Sequence, residues 1–133
     1  MTTIADVMNR HAVEVPAHLS AQADVPMLAG MQRQGDVLIV PCKPHAQGAP
    51  VPAKGVAVVR GEAGGHTHLL VAVGDVRWTT ISGRTLELGT LTVAGGAEAY
   101  LLHPEHGAAG IAPGSYTLKR QRQQAEVERL VAD

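Results

Sequence analysis

Phenylalanine is absent from this chain of 133 residues, and aromatic residues make up only 2% of it. Val, Leu, Ile and Ala must therefore fill the core. The shortage also leaves few rings on which exposed bases could stack. Cysteine occurs once, as Cys42, which excludes an intramolecular disulfide framework. Placed just after Val37-Leu38-Ile39-Val40, Cys42 reads as a small buried or half-buried residue, because no activating group for a thiol stands near it in sequence. The formal net charge of −1 supplies no global field toward nucleic acid or an anionic membrane. No apolar run approaches the ~20 residues of a membrane helix. The first ten residues lack a basic region followed by an apolar stretch, so no signal peptide is expected. The expectation is a soluble protein of a reducing cytoplasm, without membrane attachment. Internal repeats and strand–helix alternation are also missing, which argues against a solenoid or a parallel α/β sheet.

What is present points to strands. Hydrophobic residues make up 45% of the chain, alongside 15 Gly and 8 Pro, a mixture of core formers and turn formers. The spacing predicts strands over 37–40, 56–60, 66–73, 76–81, 85–88, 91–93, 97–103 and 116–121. Prolines break 41–54 into loop, and Pro113-Gly114 suits a turn. Short strands at about 8–12-residue spacing favour an all-β fold, a small β-barrel or β-sandwich. Short helices are expected at both termini. Thr3 and Asp6 allow a capping box for a helix within 3–15, ended by Pro16. Val127, Leu130 and Val131 make one apolar stripe in 122–132. Residues 1–30 read as an N-terminal extension or arm, and 31–133 as a single β-rich domain.

The chemistry concentrates in two short stretches, Gly65-His66-Thr67-His68 and His103-Pro104-Glu105-His106. They hold four of the seven histidines. Each lies at the end of an expected strand. In a strand, residues i and i+2 share a face, so His66 and His68 would aim at one spot. Imidazoles converging there with those of a second strand end can ligate a divalent metal, and three neutral His suit Zn²⁺ with one position left for water. His66, His68 and His103 are the first expected ligands and His106 the alternate. Glu62, Glu98 and Glu105 are candidates for a base or an extra ligand. The resulting expectation is a metal-binding protein, extending to a metal-dependent hydrolase through an activated water.

Two other readings of the same residues stand beside it. In a metal-free site, two histidines would serve as acid and base in RNA cleavage. Lys119, Arg120 and Arg122 would then hold phosphates, and Tyr116 would position a leaving group. In an assembly subunit of a ring or phage-type particle, residues 1–30 and the C-terminal helix would dock on further copies of the chain, and no catalysis would be involved.

From Met31 onward the sequence resembles an uncharacterised family of small bacterial proteins. The likeness rests on Arg33-Gln34-Gly35-Asp36-Val37-Leu38-Ile39-Val40-Pro41 and Gly61-Glu62-Ala63-Gly64-Gly65-His66-Thr67-His68. It continues in His103-Pro104-Glu105-His106-Gly107 and in Ala112-Pro113-Gly114-Ser115-Tyr116-Thr117-Leu118-Lys119-Arg120-Gln121-Arg122. The resemblance implies positions of interest without an activity. Gly-x-His-x-His followed by a later His is also similar to the ligand pattern of cupins, although the Glu that follows the second His in that pattern is absent here.

Overall fold

The computed structural model describes residues 2–16, 19, 21–60, 67–82 and 85–121. Along the chain these form α1 (Ile4–Arg10), β1 (Met27–Leu28), β2 (Gln32–Gln34), β3 (Val37–Pro41), β4 (Ala49–Pro50), β5 (Val56–Val59), β6 (His68–Val73), β7 (Val76–Thr80), β8 (Glu87–Val93), β9 (Glu98–His103), β10 (Gly107–Ile111) and β11 (Gly114–Arg120). The strands build two sheets, ordered β1-β10-β9-β6-β5 and β2-β3-β11-β8-β7-β4. No ladder joins them among the described residues, so the fold is a sandwich and not the closed barrel that the sequence also allowed.

One core lies between the sheets. Leu70, Ala99, Leu101 and Ile111 come from the first sheet, and Val37, Ile39, Leu91 and Leu118 from the second. Trp78 and Tyr116 are its only rings among the described residues, and aliphatic side chains do the rest. A strand shows alternate residues to opposite faces. His68 and Leu70 of β6 therefore face inward with Leu101 and His103 of β9, while Val71, Tyr100 and Leu102 face out. The outer set is covered by Val7 and Met8 of α1 and by Val25. Burying each of the two helix side chains is worth roughly 1.5–3 kcal/mol. Helix α1 and Val25 thus pack against the outer face of the first sheet. The expected capping box is present: Thr3 Oγ1 accepts from Asp6 N, and Asp6 Oδ2 accepts from Thr3 N. The helix ends at Arg10, before Pro16, and Ala12 takes a left-handed φ of 57°.

Three local departures have physical causes. The expected strands 85–88 and 91–93 are one strand, β8, because Gly89 lies under the Trp78 indole and leaves no room for a Cβ there. Strand β10 was not expected from Gly107-Ala108-Ala109-Gly110-Ile111, which has little strand propensity. It forms because β9 and β1 pair with it on its two sides. Cys42 is exposed, not buried or half-buried, since the sheet ends at Pro41. The expected helix at 122–132 lies outside the described residues.

Candidate functional site

Strands β6 and β9 are antiparallel, with Leu69 opposite Leu102. One step further in this register, His68 faces His103. Both face inward, so the two rings stand at one end of the sandwich between the sheets. Their centroids are 4.3 Å apart. Each is only 3% exposed. The turn after β9 returns His106 to the same place, its ring centroid 4.6 Å from that of His103 and 6.5 Å from that of His68. The opposite sheet closes this end with the β2–β3 hairpin Gln34-Gly35-Asp36. Gly35 has φ of 59°, and a Cβ there would lie 2.9 Å from Cδ2 and Nε2 of His106. Glycine thus serves both the turn and the close approach to the imidazoles.

Hydrogen bonds fix which ring nitrogens carry protons. Gln34 is buried, and its Nε2 donates to the carbonyls of Leu101 (2.7 Å) and Gly107 (3.2 Å). Turning the amide over would set its oxygen against both carbonyls, so Oε1 is the atom that faces His68 Nδ1 at 2.9 Å. An amide oxygen only accepts. His68 Nδ1 is therefore the protonated nitrogen, and Nε2 of neutral His68 is a bare lone pair. That lone pair faces Asp36 Oδ1 at 3.4 Å. Burial, and then the charge of a protonated His103, push the His68 pKa down to about 4, against the opposing pull of Asp36. Arg120 Nε stands 3.9 Å from the other Asp36 oxygen.

His103 is wired in the opposite sense. Its Nδ1 accepts from the backbone N–H groups of Glu105 (3.0 Å) and His106 (3.3 Å). Neutral His103 consequently carries its proton on Nε2. Ligation through Nε2 would have to expel that proton, and ligation through Nδ1 would break the turn. The first expectation for His103, as a ligand, does not fit these bonds; His103 holds the turn that presents His106.

The remaining expected residues divide clearly. Glu105 is an exposed member of that turn. Glu98 lies opposite Val73 at the far end of β9. Five residue steps along the strand separate it from His103, about 17 Å. It accepts a hydrogen bond from Tyr100 beneath α1. Tyr116 pairs with Pro41, at the end of β3 remote from the hairpin, about 13 Å along the strand from Val37. Its hydroxyl donates to Ala112 O at 2.7 Å, and burial raises its pKa. Neither Glu98 nor Tyr116 is brought to the histidines. His66, Glu62 and Arg122 lie outside the described residues. Among the described residues, no three of His, Cys, Asp and Glu are arranged to hold a metal ion. Asp36 and Gln34 were not expected at the site, and Arg120, expected as a phosphate holder, stands instead beside Asp36. Their signal in the sequence was the pair of blocks Arg33-Gln34-Gly35-Asp36 and Lys119-Arg120-Gln121, whose partners only the sheet register reveals.

No helix among the described residues is long and apolar enough to cross a membrane. Residues 33–121 match the family described as Domain of unknown function (DUF8820), and the chain belongs to that family. The matched stretch contains the hairpin, both histidine-bearing strands and the turn. No curated protein and no solved structure matches the chain.

Proposed function

We propose that this domain binds a divalent metal ion, Zn²⁺ first, on an edge formed by His68 Nε2 and the Asp36 carboxylate. The observation that carries the reading is the confrontation of these two electron-rich groups at 3.4 Å. With Gln34 holding the His68 proton on Nδ1, nothing between them donates. Such a pair calls for a cation. Tetrahedral Zn²⁺ with bonds of about 2.0–2.1 Å holds adjacent ligand atoms about 3.3 Å apart, which matches the separation. Metal-bound histidines commonly donate their other N–H to an oxygen, as His68 does to Gln34. The third ligand in this reading is His106, whose exposed ring reaches the edge by rotating about its side-chain bonds. His66 is the fourth, in keeping with the cupin-like spacing of His66 and His68. A metal ion here would supply a Lewis acid and an activated water, which makes hydrolysis the leading reaction class. A cytoplasmic location belongs to the same reading.

The test is elemental analysis of protein purified without a His-tag, with Asp36→Asn and His68→Gln variants beside it. About one equivalent of metal in the parent and little in the folded variants is the expected result. If Zn²⁺, Fe²⁺, Ni²⁺ and Mn²⁺ neither bind nor raise Tm in the parent, the reading fails.

A second reading draws on the opposite wiring of the two facing histidines. His68 offers a bare Nε2 as the base, and His103 would be the acid in its doubly protonated form. This would serve metal-free phosphodiester cleavage. It predicts turnover of a 2′,3′-cyclic nucleotide that survives chelator and is lost in His68→Gln. Cleavage abolished by chelator would remove it.

A further inference from the structure

Beside the histidine cluster a cleft of about 290 Å³ opens between β2 and β10. Its walls are stapled by glutamine: Gln32 Nε2 donates to Gly110 O at 2.8 Å, as Gln34 does to the carbonyls of Leu101 and Gly107. Those amides tie the edge of one sheet to the other and spend their donors on backbone. The charged side chain left in the lining is Arg33, and among the described residues no Asp or Glu lines the cleft. Arg33 Nε donates to Gly35 O at 2.9 Å, which fixes the stem of the guanidinium and leaves its two terminal amino groups as the forked face. His106 forms part of the same wall. The next acidic residue along the chain, Asp36, is directed at His68 and Arg120.

A pre-set guanidinium in a small concavity whose described lining holds no carboxylate is a receptor for an oxyanion, since the fork matches two oxygens of a phosphoryl or carboxylate group. Gly35 and His106 belong both to this cleft and to the histidine cluster. An anion on Arg33 would therefore lie next to the His68–Asp36 edge. We infer that the cleft is the binding subsite for the anionic group of a small substrate, a phosphate or a carboxylate, with Arg33 as its principal contact. The assignment deepens the metal-site reading by naming the substrate class of that same site, yet its anion chemistry needs no metal.

The experiment is an NMR titration of the chelator-treated protein with inorganic phosphate and, separately, with acetate, repeated on Arg33→Gln. Amide shifts confined to Arg33, Gly35, His106 and the β10 residues are expected with at least one of the two anions. Arg33→Gln should weaken that binding about tenfold or more. Saturation by phosphate alone would identify a phosphoryl group, and by acetate alone a carboxylate. If neither anion produces localised shifts, or if Arg33→Gln binds as the parent does, the assignment is overturned. Because chelator is present, that outcome is independent of metal. Failure of the metal reading would instead appear as absence of metal binding with anion binding intact. Thermal melts of Arg33→Gln keep the comparison valid; the exposed side chain should move Tm little, so lost binding reflects the lost contact.

Discussion

Replacing Asp36 by Asn tests the proton assignment through the sign of its effect. If His68 Nε2 is a lone pair, the carboxylate opposite it is a second acceptor, and the pair contributes no hydrogen bond. Asparagine can turn its Nδ2 toward that lone pair and donate to it. One neutral hydrogen bond contributes about 0.5–1.5 kcal/mol net. The substitution also removes the Arg120 contact at 3.9 Å, whose partners are 49% and 56% exposed. A pair so exposed is worth about 0–1 kcal/mol. In metal-free protein at pH 7.5 the sum lies between a loss of about 0.5 kcal/mol and a gain of about 1.5 kcal/mol. A charged His68–Asp36 pair would behave differently, its loss costing about 1.5–3 kcal/mol. For a domain of this size, 1 kcal/mol moves Tm by about 3–5 °C. Urea and thermal unfolding in chelator therefore separate the two cases. A drop of more than about 1.5 kcal/mol, absent in the His68→Gln background, would refute the lone-pair assignment. The same protein with Zn²⁺ supplies the second arm. Metal at 100 times its Kd stabilises the parent by about 2.7 kcal/mol, and Asp36→Asn should gain far less.

Other outcomes follow from the same bonds. His68 has a folded pKa of about 4, below the ordinary 6.5, so the unfolded chain binds the extra proton. Stability should be level above about pH 6.5 and fall by up to about 1.4 kcal/mol per pH unit toward 4. Melts of chelated parent and His68→Gln at pH 7.5, 5.5 and 4.5 measure this, and the variant should show the smaller slope. Gln34→Leu removes one acceptor from His68 and a donor from two carbonyls, at a cost of about 2–4 kcal/mol. Its ¹⁵N imidazole spectrum should show His68 losing its fixed Nδ1–H form, and unchanged ring shifts would contradict the proposed wiring. Gly35→Ala meets both a left-handed backbone and the His106 ring, so a loss of about 1–2 kcal/mol with displaced His106 resonances is expected. A Tm equal to that of the parent would show the hairpin to be more yielding than its φ implies.

The histidines were visible in the sequence because they are chemically distinctive and sit at strand ends. Their roles were not visible. Alternation puts residues i and i+2 of a strand on one face, as for His66 and His68, but it does not say which face meets the other sheet. Glu98 and Tyr116 were misjudged for one reason. Closeness in sequence to a strand gives no indication of which end of that strand lies at the site. Gln34 escaped notice because a lone glutamine at a strand end is ordinary until its three partners are known, and those lie 34, 67 and 73 residues away.

Composition and periodicity by themselves determined an all-β domain with an aliphatic core, a capped N-terminal helix and two histidine clusters. These follow from local chemistry: side-chain volume, the two-residue repeat of a strand, and a Thr–Asp box. Only the tertiary structure decided that two open sheets stack instead of closing, that α1 covers the outer face, and that His68 meets His103. It alone decided which nitrogen of each ring bears the proton. Register between strands far apart in sequence sets those contacts, and a ring nitrogen is donor or acceptor according to the partner that register delivers.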